Sequence, residues 1–241
     1  MKLPSHRRYL AYLAGLFGVL WLGLAVAPVD RVVWTMENSL VVLLLLVLAI
    51  TYRAFPLSRV SYTLIFVFLC LHEIGAHYTY SKVPYEEWSH ALFGASINQA
   101  LGFERNQFDR LVHFSYGLLS SYPIRELFPR VAAVRGFWGY FFPFDVTVST
   151  SAIFELIEWG AVVFFSNGTG ADYVGTQGDE WDAHKDMALA SLGALVAMTV
   201  TAAINASLQR DFAQEWADSL RVKRRKPLGE EALAAVRRIL H

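Results

Sequence analysis

The apolar residues of this chain fall in long unbroken runs rather than at the amphipathic spacing of a soluble helix. Residues 40–50 carry no polar side-chain atom, and residues 62–71 are almost as apolar. Six segments approach the ~20 residues that a helix needs to cross ~30 Å of hydrocarbon. They are 9–27, 39–53, 60–77, 108–126, 140–165 and 181–208. The pattern predicts an all-α integral membrane protein, a bundle of about six transmembrane helices occupying residues 1–208. Pro143 in the fifth segment predicts an interfacial piece that then becomes the span. The first run follows Lys2, Arg7 and Arg8 and ends in Ala25-Val26-Ala27, which resembles a signal-peptide cleavage site. Its apolar stretch exceeds the usual ~7–15-residue signal core, and Pro28 would follow the cut directly, so a retained helix is expected.

Composition changes this picture little. The 241 residues are 55% hydrophobic, and the runs outweigh the one or two soluble domains that length alone would allow. A net charge of zero gives no bulk attraction to nucleic acid, and no nucleic-acid partner is expected. Cys70, the one cysteine, lies in an apolar run and reads as packing.

Charge distribution adds an orientation. With the N-terminus inside, 16 of the 21 Lys and Arg residues fall on the cytoplasmic side. Both termini are therefore expected on the cytoplasmic side of the membrane. Residues 209–241 read as a basic cytoplasmic amphipathic tail. The tail contains Arg221-Val222-Lys223-Arg224-Arg225-Lys226, then Pro227 and an amphipathic stretch over 230–240. It either adheres to the anionic inner leaflet or is a solvated helix. The outer loops, 79–107 and 166–180, are long enough to be functional, and Trp88 suits a membrane-interface belt.

Candidate chemistry lies inside the spans. Ionisable residues there are costly and mark function by default. His72, Glu73 and His77 lie in the third span, and Asp109 and His113 in the fourth. Glu155 and Glu158 lie in the fifth, and Asp182, His184 and Asp186 in the sixth. At ~1.5 Å per residue, His72, His113 and Asp186 are each roughly 8 Å below the outer ends of their spans. Glu158 is roughly 10 Å and Glu155 roughly 15 Å below. Asp109/His113, Glu155/Glu158 and Asp182/Asp186 are spaced three or four apart, so each pair shares a helix face.

Packed carboxylates repel and need protons, cations or both. Imidazoles beside them point to a divalent metal: zinc, iron or manganese. The most ligand-like group is His72, His77, Asp109 and His113. Glu155, Glu158, Asp182 and Asp186 are candidate catalytic residues: further ligands, orienting groups or a general base. Gln177 and Asp179, in Gly175-Thr176-Gln177-Gly178-Asp179, are candidate substrate-binding residues with Arg110. That segment is either an anion-holding turn or an ordinary turn in which Asp179 caps the sixth helix. The bland alternative for the whole cluster is helix-to-helix bonding.

The motifs His72-Glu73-Ile74-Gly75-Ala76-His77, Asp109-Arg110-Leu111-Val112-His113-Phe114, Glu155-Leu156-Ile157-Glu158-Trp159 and Gly175–Asp182 resemble the YjdF-like family of bacterial inner-membrane proteins. The resemblance runs from about Ser39 to Asn205 and implies topology more than mechanism. The second half also resembles the VanZ-like membrane proteins, which are linked to glycopeptide resistance. This second resemblance implies envelope chemistry by analogy alone, and the His72/His77 helix has no counterpart in it.

Two functions follow as expectations. One is a metal-dependent membrane hydrolase or transferase acting on a lipid or cell-envelope substrate at the outer face. The other is a non-enzymatic binder or transporter of a cation or amine-bearing ligand. Against transport, the sequence shows no inverted repeat and few polar residues in the inner half. Membrane lipids are the expected surroundings in either case.

Overall fold

The first three long helices each begin where a small polar side chain satisfies the first free backbone N–H groups. The computed structural model describes residues 4–164 and 177–223, together with 227 and 229. Ser5 opens α1 (His6–Leu24), its hydroxyl accepting from the Arg8 N–H. Asp30 opens α2 (Arg31–Thr51), accepting from Val32 and Val33 at 2.8 and 3.0 Å. Ser58 opens α3 (Arg59–His77) by accepting from the Ser61 N–H. Then come α4 (Tyr85–Phe93) and α5 (Ile97–Leu101), each closed by a glycine in the left-handed region. The remaining helices are α6 (Phe108–Val131), α7 (Trp138–Phe164), α8 (Asp182–Leu208) and α9 (Phe212–Ser219). Among the described residues there is no strand.

Among the described residues, three helices are long and apolar enough to cross a membrane: α2, α3 and α8, with mean hydropathies of 2.1, 1.4 and 2.0. Helix α6 is more polar because it is the central helix. It packs against α3, α7 and α8, so its polar residues face protein rather than surroundings. Helices α1 and α2 pack on α3, and α7 also packs on α8. Chain direction gives the bundle two ends. The loop end carries α4, α5 and the starts of α6 and α8. The tail end carries α9.

Three boundaries differ from expectation. Helix α2 starts eight residues earlier than the apolar run because Asp30 caps it, and this brings Glu37 and Asn38 into the helix. Helix α7 is one continuous helix. Pro143 stands in its second turn, where it removes only one donor near the end. The outer loop over 79–107 holds α4 and α5, bridged by Glu86, which accepts from the Ser96 hydroxyl and, at 2.9 Å, from the Asn98 N–H. The Ser96 hydroxyl holds the Glu86 carboxyl below the usual range.

Helix α1 is joined to the bundle. Phe17 packs with Val41 and Leu69, Trp21 donates to Asn38, and Tyr9 meets Thr63 at 2.6 Å. The tail begins as a docked element. The backbone N–H of Phe137 donates to the Ser219 hydroxyl at 3.0 Å, and Trp216 stacks edge-on against Phe137 at 5.4 Å. The basic run over 224–226 and the amphipathic stretch over 230–240 lie outside the described residues.

The tightest contact is α6 on α8, and small residues make it. A Cβ on Gly117 would collide with the Ala190 carbonyl oxygen and stand 2.8 Å from the Ala194 nitrogen. A Cβ on Gly193 would likewise collide with the Phe114 carbonyl oxygen. Both helices start at the loop end and run parallel. Backbone touching backbone is how small residues join helices where no hydrophobic force drives them together.

Candidate functional site

One turn toward the loop end from Gly117 stands His113, with Asp109 a turn beyond it. One turn from Ala190 stands Asp186, with Asp182 a turn beyond. The backbone contact therefore brings two ionisable ridges face to face. Asp109, His113 and Asp186 each offer a ligand atom, and these atoms all lie within 4.8 Å of one another. Nε2 of His113 is 3.6 Å from Asp109 Oδ1 and 3.5 Å from Glu155 Oε1 of α7. Asp186 is 2% exposed and Glu155 7%, yet Oδ1 of Asp186 and Oε1 of Glu155 have no hydrogen-bond partner among the described residues. Buried carboxylate oxygens left so are costly and ask for a proton or a cation. Glu158 lines the cavity beside them.

His72 does not join this group. It lines the same cavity from α3. Its Nδ1 is 2.8 Å from the Tyr80 hydroxyl, and its Nε2 is 3.8 Å from Glu37 Oε2. The Tyr80 hydroxyl also reaches Glu37 at 3.3 Å. His77 is elsewhere. Its Nδ1 meets the Leu24 carbonyl at 2.7 Å, and its own carbonyl accepts from the Val29 N–H at 2.9 Å. Five residues separate His72 from His77, which is about 140° around a helix of 3.6 residues per turn, so one face cannot hold both. The structure thus brings together Asp109, His113, Asp186 and Glu155, leaves His72 on α3 in the same cavity, and gives His77 to the α1–α3 joint.

The residues expected at the rim bind each other. Asp179 Oδ2 accepts from Arg110 and from Lys185, both at 2.6 Å, and Oδ1 accepts from the Trp181 N–H at 3.1 Å. Asp182 accepts from Arg105 and stands 3.5 Å from Arg110. Gln177 accepts from the Asn106 N–H at 3.2 Å and donates to the Asn106 carbonyl at 3.1 Å. Together they form a clasp between the chain before α6 and the chain before α8. The Lys185 ammonium, with the Trp181 N–H, holds the Asp179 carboxyl down at about 2. Gly178 takes a φ of 84°, which suits glycine and makes the turn. Gly175 and Thr176 of that motif lie outside the described residues. His184 is exposed beside Trp181.

Three contributors were not singled out by sequence reasoning. Glu37 is 1% exposed and sits inside α2 rather than ahead of it. Tyr80 and Thr79 adopt left-handed backbone, with φ of 50° and 53°. Strain of that kind gathers where geometry is imposed, and here it turns the Tyr80 ring back over Gly75 toward His72. Arg105 supplies the third cation of the clasp. The polar cue Asp30, seven residues ahead of Glu37, was the one available signal for the first of these.

The fold and site define a helical membrane protein with an ionisable cavity in its interior. The chain belongs to the family of predicted membrane proteins DUF2238, whose model matches residues 9–207. It is 37% identical over 184 residues to the inner membrane protein YjdF of Escherichia coli (strain K12), covering 76% of this chain and 84% of that protein. No solved structure matches. The expected family and membrane location are borne out.

Proposed function

We propose that this protein is a metal-dependent enzyme of the inner membrane, acting on a lipid or cell-envelope substrate from the outer face. The observation that carries the reading is the group Asp109, His113 and Asp186, whose ligand atoms gather within 4.8 Å beside unpartnered buried carboxylate oxygens. Mixed imidazole and carboxylate donors suit zinc, iron or manganese. When bound, such an ion supplies Lewis-acid polarisation and eases deprotonation of water. Glu155 stands 3.5 Å from the same His113 nitrogen that faces Asp109, as a further ligand or orienting group. Glu158, on the cavity wall, is placed to take a proton from water or a substrate hydroxyl. Asp182, Asp179, Arg105 and Arg110 fix the rim. Tyr80 and Glu37 orient His72 in the cavity.

In this reading all six long helices cross the membrane, with both termini cytoplasmic. Helices α1, α6 and α7 have 19, 24 and 27 residues, enough at ~1.5 Å each to span ~28 Å or more. The positive-inside bias supports the orientation. The VanZ-like resemblance supports an envelope substrate by analogy.

The test is elemental analysis of protein purified in mild detergent without chelator. One equivalent of a divalent transition metal is expected, lost in Asp109→Asn, His113→Ala and Asp186→Asn. No metal on purification, and no saturable binding when zinc, manganese or iron is added, would sink the reading. A second reading, a binder of cations or amines, is favoured by the acid and imidazole lining of the cavity. It predicts saturable binding with no turnover of any envelope lipid.

A further inference from the structure

The cavity beside the candidate metal group does not end at the polar residues. It encloses about 190 Å³ and continues below them as a mostly apolar slot walled by Leu40 and Leu44 of α2, Phe68 and Leu69 of α3, and Phe154 of α7, with Tyr116, Thr150 and Ser151 as its polar positions. Counted at ~1.5 Å per residue from the loop end, His72, His113 and Glu158 lie ~7–9 Å down, and Leu44 lies ~20 Å down. The slot therefore adds roughly 10 Å of mostly apolar depth beneath the site.

Its floor is the packed pair α3 and α6, and its sides are α2 and α7. Helix α2 packs on α3, and α7 packs on α6 and α8, but α2 and α7 form no extensive interface with each other. The slot is thus open sideways, between two helices that both expose aliphatic side chains: Leu43 and Val47 on α2, Ile153 and Ile157 on α7.

We infer that this slot holds one acyl chain of a bilayer phospholipid, which enters sideways between α2 and α7 and carries its head to the acid–imidazole group. The inference rests on the functional reading given above and supplies its substrate class and entry route. A helix, ~10–12 Å across, is too wide for the slot. Acyl chains are what surrounds α2 and α7 in the bilayer. A chain already in hydrocarbon gains little by moving between apolar walls, so the slot guides the lipid and the head group supplies the selectivity.

The experiment uses the full chain in vesicles of phosphatidylethanolamine and phosphatidylglycerol, with a trace of phospholipid carrying a photoactivatable diazirine at mid-chain. After illumination, labelled positions are mapped by mass spectrometry, and bound metal is measured on the same samples. Label is expected to concentrate several-fold on Leu40, Leu44, Phe68 and Phe154 over the outward-facing Val19 and Ile204. Leu44→Trp and Leu40→Trp, two independent ways of filling the slot, should each reduce that label several-fold. Leu46→Trp, on the exposed face of the same helix turned away from the slot, should leave it unchanged. Even labelling over all exposed faces overturns the inference, as does slot labelling by a polyprenyl probe but not by the acyl probe. Metal bound with even labelling removes the slot alone. Slot labelling without metal removes the enzyme reading and leaves the slot.

Discussion

If the contact of α6 on α8 sets the geometry of the site, the smallest addition to it should weaken metal binding without touching a ligand. Gly117→Ala is that addition. The new Cβ would stand 2.8 Å from the Ala194 nitrogen, where ordinary contact begins at 3.4 Å, and closer still to the Ala190 carbonyl oxygen. Both obstacles are backbone, so no side chain can swing away. The helices must part by at least about 0.6 Å, at a cost of about 1–3 kcal/mol for overpacking. His113 and Asp109 ride on α6 one and two turns away, and Asp186 rides on α8. Two donors at 2.0–2.2 Å from one ion lie at most about 4.4 Å apart. The present atoms lie within 4.8 Å of one another, and binding requires them to be held close to or inside that limit. Separation opposes this, and about 1–3 kcal/mol of strain is roughly a five- to 150-fold loss of affinity at 1.4 kcal/mol per tenfold. The assay is zinc titration of the purified variant beside a thermal melt. Gly15→Ala, where a Cβ meets nothing within 4 Å, is the control and should change neither. Unchanged affinity and melting temperature in Gly117→Ala would refute the claim that this crossing positions the site.

Other outcomes follow from single contacts. His77→Ala should lower stability by about 0.5–1.5 kcal/mol through its lost bond to Leu24 while metal content stays at wild type, which elemental analysis and melting check together. Tyr80→Phe leaves His72 Nδ1 buried without its partner, an expected loss of about 1–3 kcal/mol seen by thermal melt. Asp179 has a folded pKa below its ordinary one, so its contribution to the clasp is complete above about pH 4 and is lost as pH falls toward about 2. Limited proteolysis across residues 177–182 should therefore be flat from pH 7 to about 4, whereas Asp179→Asn should raise cleavage across that whole range.

How much of this was legible in the sequence depends on whether the signal was local. Asp109 with His113, and Asp182 with Asp186, are four apart, and helical spacing alone puts each pair on one face. Their meeting was half-legible: Gly117, Ala190, Gly193 and Ala194 are the small residues that let parallel helices touch. His72 and His77 were grouped by nearness in sequence, although an interval of five turns them apart. Glu37 was set outside its helix because the apolar run, and not the Asp30 cap, was taken as the helix start.

What no local signal carried is the pairing of charges across the fold, and that pairing sorts the acids by role. The cationic side chains near the loop end, Arg105, Arg110 and Lys185, all turn to Asp179 or Asp182. The acids a turn or more deeper, Asp186 and Glu155, keep buried oxygens with no hydrogen-bond partner among the described residues. The same residue type is thus satisfied at the rim and left open below it. Rim acids whose charges are already met build the scaffold. The open ones beneath them, on α7 and α8 beside His113 of α6, are where an added cation has something to bind.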